Sequence, residues 1–262
     1  MFGCAHAPPD TSERARTASE IAASVNWQQL WLDAPRFPLA AYASPVEAAD
    51  GDELTVYIEG DGLAWLGPSS VSPDPTPLRP LALELAVQHQ QSAAAWLARP
   101  CQYVQGKERH NCSSEWWTGA RFAEEVVAAS NDAIDQLKRR AGAKRVALVG
   151  YSGGGAIAVL VAARRDDVVH LTTVAGNLDH RLWTQWHALT PLDQSLNPVD
   201  VADLVAHIPQ VHFTGGKDRI VGRRLADAFV SRMPNATDAA VRVVPQADHR
   251  CCWATLWRSL RP

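Results

Sequence analysis

A serine between glycines joins an apolar segment to a helix-forming segment near the middle of the chain. It lies in the run Gly150, Tyr151, Ser152, Gly153, Gly154, which is a G-x-S-x-G pattern. Residues 146–149 are all apolar and residues 155–163 are small or apolar, so the sequence predicts a buried strand, a sharp turn and a helix. Glycines beside Ser152 let that strand and helix approach closely. Few folds contain such a turn, and the pattern therefore restricts the architecture strongly.

Strand-like and helix-like segments alternate along the rest of the chain. Most of the strand-like segments are short apolar runs, and the longest helix-like segment repeats apolar residues on one face before Gly142. Apolar strands alternating with helices are typical of a mostly parallel sheet covered on both faces. The predicted strands are residues 27–32, 37–43, 54–58, 93–98, 145–149, 168–174, 211–214 and 241–244, and the predicted helices are residues 81–90, 119–140, 152–164, 220–232 and 251–260.

Two polar side chains follow the last two predicted strands. Asp218 comes just after residues 211–214, and His249 comes just after residues 241–244. The chain order of Ser152, Asp218 and His249 resembles that of the α/β-hydrolase superfamily, and the resemblance extends over residues 27–260. It implies an α/β fold with an eight-stranded, mostly parallel sheet, Ser152 as nucleophile, His249 as general base and Asp218 as the acid that orients the imidazole. Asp179, which follows an earlier strand, is the competing acid.

The resemblance also implies where an oxyanion would bind. One backbone N–H should come from Gly153, the residue after the nucleophile, and the second from the loop after residues 54–58. We assign the second donor to Asp61, with Gly62 as the alternative. Glu59 departs from the superfamily pattern, which usually has a His-Gly pair at this place. Four aromatic residues are expected around an acyl pocket: Trp65, Tyr151, Trp183 and Trp186.

The predicted domain spans residues 25–262, and one part of it lacks regular alternation. Residues 176–210 carry Trp183 and Trp186 among prolines. This segment forms either a small cap over the site or decoration packed on the sheet. Residues 1–24 are polar, and we expect a disordered leader or a lipoprotein linker there.

The predicted function is that of an esterase-like or lipase-like serine hydrolase, which cleaves a carboxylic ester or related acyl bond through an acyl-enzyme on Ser152. The expected substrate is a small molecule or a lipid-like acyl compound, and no metal or organic cofactor is implied. A peptidase or amidase with the same three residues, and a non-catalytic envelope binding protein of the same fold, are the alternatives. A net charge of −3 and an isoelectric point near 6.3 argue against a nucleic-acid partner.

The cysteines bear on the compartment. Cys4 follows only three residues, and either it is a lipidation site whose apolar leader lies upstream, or it is an ordinary leader residue. A lipid on Cys4 is the expected means of any membrane attachment, since no apolar run approaches the roughly 18 residues of a spanning helix. Cys101 and Cys112 could close a disulfide, whereas Cys251 and Cys252 could be bonded or free. The pattern favours the bacterial periplasm or envelope over the cytoplasm.

Overall fold

The chain builds one eight-stranded sheet, in a computed structural model that describes residues 10–34, 36–45, 52–89, 92–234 and 238–261. The strand order is β1-β2-β6-β3-β7-β8-β9-β10, and β2 runs in the direction opposite to the other seven strands. The predicted mostly parallel, eight-stranded sheet is confirmed. Its strands are β1 (Gln28–Asp33), β2 (Pro38–Ala43), β3 (Glu53–Ile58), β6 (Ala94–Leu97), β7 (Arg145–Tyr151), β8 (Val168–Val174), β9 (Gln210–Gly215) and β10 (Ala239–Val244), while β4 (Trp65–Gly67) and β5 (Ser70–Val71) form a separate hairpin.

Helices cover both faces of the sheet. One apolar core includes residues of α3, α4 and α6, and the other includes residues of α1, α2 and α7. Residues 146–150 of β7 are buried in succession because side chains on both faces of this central strand meet a helical layer. The helices are α1 (Thr11–Ala23), α2 (Leu81–Ala86), α3 (Glu124–Ala141), α4 (Gly153–Ala162), α5 (His180–His187), α6 (Arg223–Val230) and α7 (Trp253–Leu260).

The carboxyl ends of the parallel strands meet at one edge of the sheet. Loops that leave β3, β6, β7, β9 and β10 at this edge carry Asp61, Arg99, Ser152, Asp218 and His249. Residues far apart in the chain are thus brought to one place, which is the position expected for a site in an α/β sheet.

The leader prediction for residues 1–24 is wrong over most of its length. Residues 11–23 form α1, which begins with an Asp10 side chain that accepts a hydrogen bond from the Glu13 N–H at 2.8 Å. Ala18 and Ala22 lie four residues apart and are fully buried in the core of one sheet face. The polar composition concealed this face, because alanine supplies helix propensity and close packing with little hydrophobic bulk. Cys4 and the lipidation predicted there lie outside the described residues.

The structure also changes two predicted boundaries. Helix α3 begins at Glu124 rather than near Gly119, because the backbone of Ala123 is extended, with φ −60° and ψ 161°. Residues 114–117 form a separate short 3₁₀ turn in which Trp116 and Trp117 are buried. Within the predicted cap at residues 176–210, Leu192, Val205 and Ile208 are buried in the same core as α4, so this part is decoration packed on the fold. Helix α5 of this segment contacts the loop that follows β9, because Trp183 Nε1 and His187 Nε2 both lie 2.9 Å from the Ile220 carbonyl oxygen.

Among the described residues, none of the helices combines the length and the apolar character needed to cross a bilayer.

Candidate active site

Ser152 occupies a strained turn between β7 and α4. Its backbone has φ 51° and ψ −119°, a conformation that side-chain-bearing residues seldom adopt. The turn is held because the Ser152 N–H donates to the Val174 carbonyl at 2.9 Å and the Ser152 carbonyl accepts from the Asn177 N–H at 3.1 Å. A Cβ atom on Gly154 would lie 2.2 Å from the Ile58 carbonyl oxygen. The glycine is therefore required by the contact between helix and strand, as the sequence pattern indicated.

His249 and Asp218 complete a chain of hydrogen bonds that starts at Ser152. Ser152 Oγ lies 3.1 Å from His249 Nε2, and His249 Nδ1 lies 2.9 Å from Asp218 Oδ2. An ionised carboxylate only accepts, so Nδ1 carries the proton and donates it to Asp218. Nε2 is then unprotonated and accepts the hydrogen bond from the Ser152 hydroxyl. The structure thus brings together the three residues that the chain order singled out.

The Asp218 carboxylate is preorganised by its own loop. Its side chain is completely buried, and Oδ1 accepts hydrogen bonds from the N–H groups of Ile220 and Val221, each at 2.8 Å. These bonds orient the other oxygen toward His249. The competing acid Asp179 is used elsewhere, because its Oδ1 accepts from Leu182 N at the start of α5 and from Asn197 Nδ2.

The loop that carries His249 is fixed on both sides of the histidine. The Tyr151 hydroxyl donates to the His249 carbonyl at 2.9 Å, and the Tyr151 ring lies 5.5 Å from the imidazole between centroids. Asp248 Oδ1 accepts from the N–H groups of Arg250 and Cys251, and these bonds lower the pKa of Asp248. Tyr151, predicted to line the substrate pocket, thus supports the histidine loop through its hydroxyl group.

The predicted oxyanion donors lie on two facing segments. Gly153 is the first residue of α4, so its N–H has no carbonyl acceptor within the helix. Across from it, Asp61 Oδ1 lies 3.1 Å from Arg99 Nη1 and Asp61 Oδ2 lies 3.0 Å from Arg121 Nη1. Gly62 has φ +68°, and a Cβ atom there would lie 1.9 Å from the Pro75 carbonyl oxygen. Only glycine therefore fits at position 62. The loop after β3 also passes close to the helix end, since a Cβ atom on Gly153 would lie 2.0 Å from Asp61 Oδ1.

Glu59, the residue that departs from the superfamily pattern, points into the protein. It is 1% exposed, and its carboxylate accepts hydrogen bonds from Gly60 N at 2.9 Å and from Trp96 Nε1 at 3.1 Å. Burial raises the pKa of Glu59 to about 7, against the lowering effect of these hydrogen bonds. The side chain secures the start of the oxyanion loop and does not face the serine.

The three predicted pocket tryptophans have different surroundings. Trp183 Nε1 donates to the Ile220 carbonyl at 2.9 Å, and the Arg121 guanidinium lies 5.8 Å from the Trp183 ring centroid. Trp186 packs on Gly222 and beneath Arg224, while Trp65 is 43% exposed on β4. Trp183 thus contacts both the loop that carries Asp218 and Arg121, which binds Asp61.

Sequence reasoning missed the buried residues around Asp61. Arg99, Arg121 and Gln102 are at most 6% exposed, and all three hydrogen-bond to the loop after β3. Arg99 could have been found, because it follows directly on the predicted apolar strand of residues 93–98 and so must lie at the carboxyl edge of the sheet. Arg121 and Gln102 lie in irregular segments whose path no local pattern predicts.

Two cysteine pairs lie at bonding distance. Cys101 and Cys112 have Cα atoms 5.6 Å apart, which is ordinary for a disulfide, and Cys251 and Cys252 form an adjacent pair two and three residues after His249. The described residues contain no group of three or more His, Cys, Asp or Glu side chains arranged to hold a metal ion.

A family model described as the dienelactone hydrolase family matches residues 97–251, which is more than half of the chain. The search of curated proteins found no sequence that matches this chain.

Three solved structures illustrate the likeness in fold. The esterase Pf2001 of Pyrococcus furiosus is 11% identical, with a TM-score of 0.63 over 93% of this chain and 91% of that one. A puromycin hydrolase is 15% identical, with a TM-score of 0.60 over 85% of this chain, which spans only 36% of that protein. The acylaminoacyl peptidase of Pyrococcus horikoshii is 10% identical, with a TM-score of 0.59 over 86% of this chain and 37% of that one. At these identities the likeness shows the α/β-hydrolase fold.

Proposed function

The chain belongs to the dienelactone hydrolase family, and from that premise we propose that it cleaves a carboxylic ester or a related acyl bond through an acyl-enzyme on Ser152. It is a hydrolase of the α/β type. One observation carries the proposal of the acyl-enzyme: the continuous hydrogen bonds from Ser152 Oγ to His249 Nε2 at 3.1 Å and from His249 Nδ1 to Asp218 Oδ2 at 2.9 Å.

The first step is attack by Ser152 on the substrate carbonyl carbon. His249 Nε2 takes the hydroxyl proton as the Oγ–C bond forms, and the Asp218 carboxylate stabilises the resulting imidazolium. The negative charge on the carbonyl oxygen is held by the N–H groups of Gly153 and Asp61.

The tetrahedral intermediate then collapses, and the acyl-enzyme is hydrolysed. His249 returns its proton to the departing alcohol oxygen, which leaves Ser152 as an acyl ester. Water then gives a proton to Nε2 as its oxygen attacks the acyl carbon. The bond between the acyl carbon and Ser152 Oγ breaks as His249 returns that proton to Oγ, and the carboxylic acid is released. An ester is favoured over an amide because an alcohol oxygen leaves more readily than an amine nitrogen.

Two arginines support oxyanion binding electrostatically. Arg99 and Arg121 carry two positive charges against the single negative charge of Asp61, and all three side chains are largely buried. The excess positive charge next to the loop favours a developing oxyanion, because the low dielectric of the interior strengthens the interaction. We also propose that Trp183 borders the pocket for the acyl or alcohol group, supported by its contacts with Ile220 and Arg121.

A fluorophosphonate probe tests the proposal. We expect one adduct, located at Ser152 by mass spectrometry, which is lost in Ser152→Ala and in His249→Ala. His170→Ala is the matched control, since His170 hydrogen-bonds to the Pro209 carbonyl and lies away from Ser152 along the chain and the sheet. Absence of labelling on folded protein would contradict the proposal and favour a non-catalytic binding protein.

A substrate panel then separates the hydrolase classes. We expect turnover of p-nitrophenyl esters at rates well above those of aminoacyl p-nitroanilides. The opposite ranking would favour a peptidase or amidase that uses the same residues.

We further propose that the protein works in an oxidising compartment, the bacterial periplasm or envelope. The proposal is supported by the pairing of Cys101 with Cys112, since structural disulfides persist mainly in such compartments. Lipid attachment at Cys4 stays a prediction. Mapping of thiols in protein from its native host tests the compartment, and free thiols at Cys101 and Cys112 would contradict it.

A further inference from the structure

Gln102 is a buried amide directly beside the oxyanion loop. It is 1% exposed, and its Nε2 donates to the Gly60 carbonyl oxygen at 2.9 Å. Its Oε1 accepts from the Arg99 backbone N–H at 3.1 Å. Both the oxygen and the nitrogen of the amide therefore have hydrogen-bond partners, and the nitrogen binds a backbone carbonyl of the loop that carries Asp61.

The bond to Gly60 determines where the Asp61 N–H points. The Gly60 carbonyl and the Asp61 N–H belong to the same peptide unit, which is trans. In a planar trans peptide the C=O and N–H directions are opposite. Because the carbonyl oxygen points at Gln102, the Asp61 N–H points away from Gln102, and it cannot turn unless that hydrogen bond breaks.

The loop is anchored at further points. The Gly60 N–H donates to the Glu59 side chain, and the Asp61 carboxylate is bound by Arg99 and Arg121. A Cβ atom on Gly60 would lie 3.3 Å from Ser152 Cβ. The loop thus faces Ser152 while its carbonyl oxygen is held by Gln102.

Gln102 is itself held rigidly. It lies between Cys101 and Tyr103, whose φ values of 68° and 65° are unusual for residues other than glycine. Its N–H donates to the Arg99 carbonyl at 3.2 Å, and the Tyr103 N–H donates to Thr76 Oγ1 at 2.7 Å. The adjoining Cys101 is linked to Cys112. A strained turn that is fastened at several points keeps its conformation, so the amide is a fixed support.

We propose that Gln102 is a positioning residue for acyl transfer: by holding the Gly60 carbonyl oxygen, it aims the Asp61 N–H at the oxyanion. This inference rests on the proposed function. Gln102 touches no reacting atom and acts only through the Gly60–Asp61 peptide. The negative charge on the substrate oxygen is greatest in the transition state, so a misdirected N–H lowers kcat far more than it raises KM.

The variant Gln102→Ala tests the proposal. Removal of a whole oxyanion donor costs about 100- to 1000-fold in rate, and partial misorientation should cost about 10- to 100-fold in kcat. We expect KM for a p-nitrophenyl ester to change less than threefold. The affinity for a trifluoromethyl ketone, which binds Ser152 as a tetrahedral oxyanion, should fall by the same factor as kcat/KM.

Gln210→Ala is the matched control. Gln210 is 3% exposed, and its Nε2 also donates to backbone carbonyls, those of Val205 and Ile208. It lies at the start of β9, on the sheet edge opposite Asp218. Gln210→Ala therefore removes a buried glutamine of the same kind, and we expect kcat within threefold of the parent protein after correction for the folded fraction.

Gln102→Glu provides a second test. Glutamate has the size of glutamine, so this variant leaves no cavity of the kind that Gln102→Ala creates. A protonated glutamic acid donates to the Gly60 carbonyl, whereas an ionised one only accepts and repels it. We expect the ratio of variant to parent kcat to be several-fold higher at pH 6 than at pH 8. A ratio that does not change with pH, or parent-like kcat and inhibitor affinity in Gln102→Ala, would overturn the inference.

Failure of this inference is distinguishable from failure of the proposed function. If the parent protein reacts with fluorophosphonate at Ser152 and hydrolyses esters while both Gln102 variants behave as the parent does, only the role of Gln102 is refuted. If the parent protein neither reacts at Ser152 nor turns over esters, the proposed function is refuted, and the inference about Gln102 is refuted with it.

Discussion

The Asp61 carboxylate lies directly against Gly153, the residue that follows the candidate nucleophile. A Cβ atom on Gly153 would be 2.0 Å from Asp61 Oδ1 and 2.5 Å from Asp61 Cγ. The two residues proposed to supply the oxyanion donors therefore pack on each other without a side chain between them. Because Arg99 and Arg121 hold the carboxylate from the other side, it has little room to retreat.

Gly153→Ala should displace Asp61 and impair the oxyanion hole. We expect kcat for a p-nitrophenyl ester to fall by about 100-fold or more and the free energy of unfolding to fall by about 1–3 kcal/mol from overpacking. Gly119→Ala is the control, because a Cβ atom there would meet only Gln194 Oε1 at 3.4 Å. Parent-like turnover in Gly153→Ala would contradict the close contact.

Asp218→Asn should nearly abolish turnover without loss of the fold. The asparagine oxygen can still accept from the Ile220 and Val221 N–H groups, but an amide nitrogen facing His249 Nδ1 favours the wrong imidazole tautomer. We expect kcat to fall by about 10⁴-fold, with unchanged far-ultraviolet circular dichroism. Asp248→Asn should lower kcat by less than about tenfold, since Asp248 bonds only to its own loop and not to the imidazole. Similar losses in the two variants would refute the assignment of Asp218.

Glu59 should make the protein less stable as the pH rises toward 7. Burial raises its pKa to about 7, so the folded state keeps a proton that the unfolded chain loses near pH 4.5. Its stabilising contribution is complete below pH 4.5 and is lost as the pH rises to about 7, a change on the order of 3 kcal/mol. Urea unfolding at several pH values should show this slope, and Glu59→Gln should remove it. An equal slope in the two proteins would contradict the shifted pKa.

His212 should have the opposite effect. It is fully buried between Thr173 Oγ1 and Gln210 Oε1, and burial lowers its pKa to about 3. The neutral imidazole therefore stabilises the fold above pH 6.5, and that contribution is lost as the pH falls from 6.5 toward 3. His212→Gln should flatten the acid side of the stability profile, whatever its effect at pH 7. His170→Gln, at a half-buried histidine on the neighbouring strand β8, is the matched control variant.

Loss of the link between Cys101 and Cys112 should destabilise the fold and slow turnover. Removal of a disulfide that closes a loop of this size costs about 2–4 kcal/mol in unfolding free energy. In Cys101→Ser/Cys112→Ser we also expect a reduced kcat, because Cys101 adjoins Gln102. Thermal unfolding and ester turnover with and without dithiothreitol provide the measurement. Cys251→Ser/Cys252→Ser shows whether the second pair accounts for any response of the parent protein to the reductant.

Local pattern and chain order were sufficient for the sheet and for the three residues at its edge. Ser152 was found because the glycines around it follow an apolar strand and precede a small-residue helix. Asp218 and His249 were found because each follows a late strand, and parallel strands bring their carboxyl ends to one edge. The local pattern of residues and their order along the chain are visible in the sequence without knowledge of the fold.

Burial and partner choice were decided by the tertiary structure. The residues near Gln102 in the chain do not show that its amide binds the Gly60 carbonyl. The residues near Asp61 likewise do not show that two distant arginines bind its carboxylate. Helix α1 was missed because Ala18 and Ala22 become apolar core only when another layer covers them. Tyr151 was expected in the pocket, but its hydroxyl is used by the His249 carbonyl. The alternation of strands and helices can be predicted without the structure because short-range periodicity encodes it, and the order of the reactive groups is the chain order itself. The charges and amides that support those groups come from distant segments, and their contacts exist only after the chain has folded.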